Sequence, residues 1–208
     1  AQEIAYFMDH YGKINGRRKP ELLDWKTFTI TNYREFERAA DEYNALTKDA
    51  KRVYDLIPAD YRDAYYQLVM YPIEATANLY NLYHATARNH FYAEQGRART
   101  NMMADSVRYY FDKDSLMTVH YHTDFADGKW NHMMAQTRIG YTYWQQPPFN
   151  RIPDTYRVTP LNGSHPDVYV EGQLQPWSAN TNRLPQFDAF NRQSYYVELF
   201  NKGDKSFD

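Results

Sequence analysis

The sequence predicts a mainly α chain, with roughly five antiparallel helices followed by a proline-rich segment with a few β-strands. Up to about residue 123, apolar residues recur at the i, i+3, i+4 spacing of amphipathic helices, and the connections between these runs are short. Seven of the ten prolines follow residue 146 and exclude long helices there. We therefore expect a helical region, 1–146, and a proline-rich region, 147–208.

Two helices are predicted in the first quarter of the chain. The first covers about 1–14, and its helical spacing begins at once, so we expect it to continue a longer chain. The second begins at a capping box of Asn32 and Glu35, and its apolar stripe runs to Pro58. Its opposite face is charged, as expected for a face in contact with water.

A third helix is the most apolar and carries several polar residues. Asp60 is its predicted cap, and Pro72 is expected to kink or split it near Tyr71. Buried amides need hydrogen-bond partners, so the polar residues either bond one another across the bundle, which we favour, or face a cleft. They are Asn78, Asn81, His84, Asn89 and His90.

Two shorter helices complete the helical region. We expect a fourth over about 98–111 and a fifth over about 114–123, with Asp114 or Ser115 as the cap of the fifth. Beyond them, 167–171 and 194–203 show the alternation of strands. Because so few strands do not form a stable sheet alone, they either pack on the helices or pair with chain beyond residue 208.

Composition excludes several classes of protein. The formal net charge is -2 and the pI about 6.4, so no basic field is available to attract nucleic acid or anionic lipid. Mean hydropathy is -0.84, and no apolar run reaches the roughly 18 residues of a membrane span. The chain lacks cysteine, phosphate-binding loops and dinucleotide glycine patterns, and we predict no cofactor.

Neither catalysis nor metal binding has a convincing set of residues. No nucleophile motif occurs, and Asp124 and Asp127 are the only acids considered for acid–base chemistry, with a turn as their simpler explanation. His120, His122 and His132 suggest a metal, but positions i and i+2 of a helix point apart, and no His-x-x-x-His spacing occurs. We therefore predict no catalytic residue and no metal ligand.

The richest segment is 128–148, GKWNHMMAQTRIGYTYWQQPP. Its aromatic rings offer flat apolar faces, its amides match neighbouring sugar hydroxyls, and its cations suit a carboxylate. The alternative is that its apolar residues seal the helices against the strands. The candidate carbohydrate-binding residues are Lys129, Trp130, Asn131, His132, Arg138, Tyr141, Trp144 and Gln145.

The same segment resembles a signature of glycoside hydrolase family 115, the α-glucuronidases that remove glucuronate branches from xylan. Four further segments resemble parts of that family: RRKPELL at 17–23, YQLVMYP at 66–72, LPQFD at 184–188 and VELFN at 197–201. The resemblance covers nearly the whole chain. One departure is Arg138, where the family pattern has histidine.

The resemblance implies a place in a larger enzyme. The family hydrolyses its substrate with inversion, using an acid and a base from a barrel-like domain upstream of the helical bundle. This chain would then be the helical bundle and the first strands of a C-terminal β-sandwich. The resemblance also implies an extracytoplasmic location, with glucuronoxylan and the upstream catalytic domain as partners.

Three functions remain open at this stage. The first is a non-catalytic bundle domain that supports the catalytic domain and lends side chains to the rim of its active site. The second is an independent carbohydrate-binding module. The third is a structural or dimerising helical domain without a ligand, and the fold alone does not choose among them.

Overall fold

We analysed a computed structural model of the chain, which describes residues 1–179 and 183–207. The protein is mainly α, with about half of its residues helical and a small two-stranded antiparallel sheet. None of the helices in the described ranges has the length and apolarity needed to cross a membrane. The elements are α1 (Gln2–Asn15), α2 (Glu35–Tyr54), α3 (Ala59–Tyr65), α4 (Tyr71–Glu94), α5 (Thr100–Thr123), β1 (Pro166–Val170) and β2 (Val197–Asn201).

Helices α4 and α5 form the central antiparallel pair. The Asn78 side chain donates to the Tyr110 carbonyl at 2.8 Å, and the Asn89 side chain donates to the Thr100 carbonyl at 2.9 Å. The partner of the later residue of α4 is the earlier residue of α5, so the two helices run antiparallel. The two asparagines face the bundle interior rather than a cleft, but each bonds a backbone carbonyl of α5, not another of the predicted polar side chains.

The first two helices also run antiparallel to their neighbours: α1 to α2, and α2 to α4. Arg52 pairs with Glu3 across α2 and α1, and the amides of Asn44 and Asn81 bond each other across α2 and α4 at 2.7 and 3.1 Å. The buried faces share one apolar core with α4. The predicted apolar stripe of α2 is buried as expected, including Phe36, Ala40, Tyr43 and Leu46.

A π-helical turn, Tyr66–Met70, joins α3 to α4 and lies immediately before Pro72. The helix is thus not split near Tyr71, and the irregularity before Pro72 is a wider turn within a continuous helical path. Proline has no N–H and crowds the carbonyl of the preceding turn, which a π turn accommodates. The helical path therefore continues from Ala59 to Glu94.

Three predicted helix starts are wrong. The region predicted as a fourth and a fifth helix is the single helix α5, and Asp114 pairs with Arg138 instead of capping a helix. Helix α3 begins before Asp60, at Ala59. At α2 the Glu35 carboxylate accepts the Thr29 amide at 2.8 Å, so the Asn32–Glu35 capping box is absent. The described chain thus has five α-helices in four continuous segments, divided differently from the prediction.

The strands pack on the helices, as one of the two predicted alternatives required. Strands β1 and β2 pair antiparallel with Val168 opposite Leu199. Inward-facing Tyr169 and Phe200 share a cluster with Phe91, Tyr92 and Met103 of the helices. Buried Arg97 completes the junction: its guanidinium carbon lies 4.1 Å from the Phe200 ring, and its Nη1 is 2.7 Å from Glu198.

Candidate functional site

The segment after α5 begins with a sharp turn. Ala126, Asp127 and Gly128 all have positive φ, which confirms the turn interpretation of Asp127. The Asp124 carboxylate accepts the Thr123 hydroxyl at 2.8 Å, and this bond and one to His120 lower the pKa of Asp124. A lowered pKa favours the ionised form, which is unsuited to a general acid.

Residues 130–139, which we call the anchor segment, return the chain to the helices. Trp130 and Met134 pack against an aromatic cluster of Tyr71, Tyr121 and Phe125. At the other end of the anchor segment, Ile139 is fully buried in the main core. Trp130, Met134 and Ile139 therefore seal the helices, in part as the alternative interpretation predicted, whereas Met133 is 62% exposed and the strands lie elsewhere.

Arg138 is bound to a carboxylate of its own chain. Its Nε and Nη2 donate to the two oxygens of Asp114 at 2.9 and 3.0 Å, Nη2 also reaches the Thr118 hydroxyl, and Nη1 donates to the Met134 carbonyl at 3.3 Å. The Asp114 side chain is only 3% exposed. All three guanidinium nitrogens bind groups of the same chain, and contact of Arg138 with a substrate carboxylate stays a prediction.

A short neck closes the loop that follows. The Asn150 side-chain oxygen accepts the amides of Arg138 and Ile139 at 2.8 and 3.0 Å, and the Arg151 amide donates to the Ile139 carbonyl at 3.1 Å. Gly140 has φ +94°, and a Cβ there would lie 2.9 Å from the Cβ of Arg151. The neck therefore requires glycine at this position.

Residues 140–149, which we call the aromatic loop, project from this neck. Trp144 is 83% exposed, Phe149 67% and Tyr143 60%. The Tyr143 hydroxyl donates to the Gln145 side chain at 3.0 Å. The loop contains no charged residue. A loop of this length with its ends joined has the form of an Ω-loop.

The eight predicted site residues fall into separate places. Lys129 lies with its ammonium 5.0 Å from the Trp130 ring, and Asn131 and His132 are exposed residues of the anchor segment. Arg138 belongs to the internal ion pair. Only Tyr141, Trp144 and Gln145 lie on the aromatic loop.

The three histidines near the turn have local contacts. His120 lies 3.3 Å from Asp124, and the His122 Nε2 accepts the Met134 amide at 3.1 Å. The rings of His122 and His132 are 6.2 Å apart. Within 1–179 and 183–207, no three histidine or acidic side chains are grouped so that they could hold a metal ion.

Sequence analysis missed Phe149, which follows the segment singled out by its aromatic and amide content. No local pattern marks it, because its place on the loop depends on the neck bonds of Asn150.

No protein-family model matches the chain, and no curated protein matches its sequence.

Proposed function

We propose that this chain is a non-catalytic helical domain of a glycoside hydrolase that removes glucuronate side chains from xylan, and that its aromatic loop contacts the polysaccharide. The resemblance of residues 128–148 to glycoside hydrolase family 115 supports the enzyme class. The observation that carries the binding role is the set of three exposed rings, Tyr143, Trp144 and Phe149, on a loop closed at its base.

The chemistry of the loop suits a neutral sugar backbone. Aromatic rings offer flat apolar faces, and the amides of Gln145 and Gln146 each provide both a donor and an acceptor for hydroxyl groups. The loop has no charge, so attraction to it does not depend on ionic strength. Exposing three large rings to water is unfavourable, and contact with a ligand would remove that cost.

The acid and base of hydrolysis are assigned to a separate catalytic domain. Asp114 is paired with Arg138, and Glu171 accepts a backbone amide at 2.6 Å. Burial alone would raise the pKa of Asp167, but hydrogen bonds from Lys202 and neighbouring donors lower it overall. These buried acids have structural partners, whereas inverting hydrolysis needs one protonated acid and one free carboxylate base. An extracytoplasmic location follows from the polymeric substrate.

The test is a titration of the chain with glucuronoxylan oligosaccharides, followed by tryptophan fluorescence. We expect a saturable change at millimolar ligand, and its loss in Trp144→Ala. Glucuronate release from the polymer is measured in parallel and is expected to be absent. Fluorescence that stays constant would contradict binding by the loop, and release of glucuronate by the chain would contradict the non-catalytic assignment.

A specific surface favours a second function, dimerisation. Ile4, Ile57, Tyr61 and Leu68 line an apolar groove along α1 and α3, and Tyr61 and Leu68 are largely exposed. Apolar patches of this kind mark protein interfaces. Light scattering of the chain and of a Leu68→Lys variant tests this alternative: a dimer that the substitution dissociates would support it, and a monomer would exclude it.

A further inference from the structure

A small cavity lies where the start of α2, the C-terminal half of α4 and β2 meet. Its volume is about 170 Å³, smaller than the pockets of drug-sized ligands and suited to a single small molecule. Phe91, Tyr92 and Tyr169 form buried aromatic walls. The remaining wall is polar and includes Arg34, Glu37, Arg88, Tyr196 and Glu198.

The two arginines of this cavity have unused donors. Both pair with one carboxylate: Arg88 Nη2 is 3.3 Å and Arg34 Nε is 3.9 Å from the oxygens of Glu37. Within the described chain, neither guanidinium donates a hydrogen bond. A guanidinium carries five N–H donors, so the pair can still bind an anion. Arg138, by contrast, has hydrogen bonds from all three nitrogens.

The charge balance selects the kind of anion. Glu198 is paired with Arg97 at 2.7 Å, and Glu37 is shared by Arg34 and Arg88. The buried Glu171 carboxylate accepts the amides of Tyr33 and Tyr196 beside the cavity, so three guanidinium groups face three carboxylates and the charges balance. A singly charged carboxylate that accepts the unused arginine donors adds one negative charge beside the glutamates, whereas a doubly charged phosphate adds two and is repelled more strongly.

The backbone holds one arginine in an unusual position. Tyr33 and Arg34 have φ values of +57° and +47°, a left-handed conformation that is uncommon for residues other than glycine. The Arg34 guanidinium carbon lies 4.5 Å from the Tyr196 ring, which leaves the N–H edges free to bind. Strained residues of this kind concentrate at ligand sites.

We propose that this cavity binds a small, singly charged organic carboxylate that carries hydroxyl groups. Its carboxylate lies between Arg34 and Arg88, and Glu37 and Glu198 accept hydrogen bonds from its hydroxyl groups. The aromatic walls contact its carbon skeleton. This site is separate from the aromatic loop, and its existence does not depend on the proposed function.

Calorimetric titration of the 208-residue chain with sodium glucuronate tests the site. We expect a dissociation constant on the order of 1 mM, which corresponds to about -4 kcal/mol. Glucose has the same ring without the carboxylate and is expected not to bind. Inorganic phosphate is expected to bind more weakly than glucuronate. Equal binding of glucose would overturn carboxylate recognition, and equal binding of phosphate would overturn the charge argument.

Substitutions of the two cavity arginines test whether glucuronate binds in the cavity. We expect Arg88→Met and Arg34→Met each to weaken glucuronate binding by roughly tenfold or more, because a hydrogen bond to a charged group is lost. Arg88→Lys keeps the charge without the planar fork and is expected to bind with intermediate strength. Arg108→Met is the matched control, because Arg108 is exposed on α5 and outside the cavity. Circular dichroism checks that each variant is folded.

Comparison of a loop variant with a cavity variant distinguishes failure of the cavity proposal from failure of the proposed function. Trp144→Ala is expected to leave the glucuronate dissociation constant unchanged. If Trp144→Ala abolished glucuronate binding and Arg88→Met did not, binding would belong to the aromatic loop and the cavity proposal would be wrong. Absence of any glucuronate binding would also overturn the cavity proposal, while oligosaccharide binding by the loop would still support the proposed function.

Discussion

Trp130 and Trp144 are the same residue type in one continuous aromatic segment, yet their environments are opposite. Trp130 packs in a cluster with Tyr71, Tyr121 and Phe125, whereas Trp144 is 83% exposed. The anchor segment is fixed by core contacts and an internal ion pair. The aromatic loop is fixed only at its neck.

This difference shows that composition alone does not separate a structural motif from a binding motif. The sealing interpretation holds for Trp130, Met134 and Ile139, and sugar binding by the aromatic loop stays a prediction. The anchor segment supplies rigidity, and the aromatic loop supplies the exposed rings. A functional loop on a rigid base is the usual arrangement of binding residues in proteins.

The largest expected effect tests the anchor segment. Arg138→Met leaves the Asp114 carboxylate, 3% exposed, without its cation, and should lower the free energy of unfolding by about 3–5 kcal/mol. Urea denaturation measures the loss. Arg108→Met, which removes an exposed i, i+4 partner, should cost less than about 1 kcal/mol. Similar losses in the two variants would show that Arg138 is not a structural anchor.

The neck is tested by Gly140→Ala. The substituted residue would have to adopt φ +94° and place its Cβ 2.9 Å from that of Arg151, so we expect a loss of about 1–3 kcal/mol in thermal or urea unfolding. Gly12→Ala is the matched control. Gly12 lies in α1 with open space around its Cα, and the same change there should stabilise by about 0.5–1 kcal/mol. A stabilising Gly140→Ala would contradict the neck geometry.

Acid should lower the stability of the helical core and leave ligand binding by the aromatic loop unchanged. Burial, with a smaller contribution from Arg88, lowers the pKa of His84 in α4 to about 3. Below about pH 6.5 the unfolded state therefore binds a proton that the folded state does not. The free energy of unfolding is unaffected by His84 above that pH and falls by about 1.4 kcal/mol per pH unit towards pH 3.

Unfolding of the wild type and His84→Gln, compared at several pH values, measures this contribution. The difference between them should grow as the pH falls below 6.5, while oligosaccharide binding by the uncharged loop should stay constant as long as the protein is folded. A pH dependence that is identical in the two proteins would exclude His84 as its source.

The smallest effect on stability is expected at Trp144. Trp144→Ala removes an exposed ring and should change the unfolding free energy by less than about 0.5 kcal/mol while it removes oligosaccharide binding. Trp130→Ala should instead cost about 2–3 kcal/mol, because that ring packs in the Tyr71 cluster. Equal stability losses for the two substitutions would remove the distinction between anchor segment and loop.

The sequence by itself determined the mainly α class, the buried stripe of α2, an irregularity of the helix before Pro72 and the alternation of the two strands. Each of these depends on residues close together in the chain, through periodicity or backbone restriction. It also indicated that residues 128–148 are unusual. The internal role of Asn78 and Asn89 followed from the rule that buried amides need partners.

Only the tertiary structure decided which residues of that segment are anchors and which are exposed. Arg138 pairs with Asp114, which lies 24 residues earlier in the chain, and this pairing directs the Arg138 guanidinium into the protein. Arg34 and Arg88 lie far apart in the chain and meet at one cavity. Burial and partner choice depend on contacts between distant residues, and local sequence patterns carry no information about those contacts.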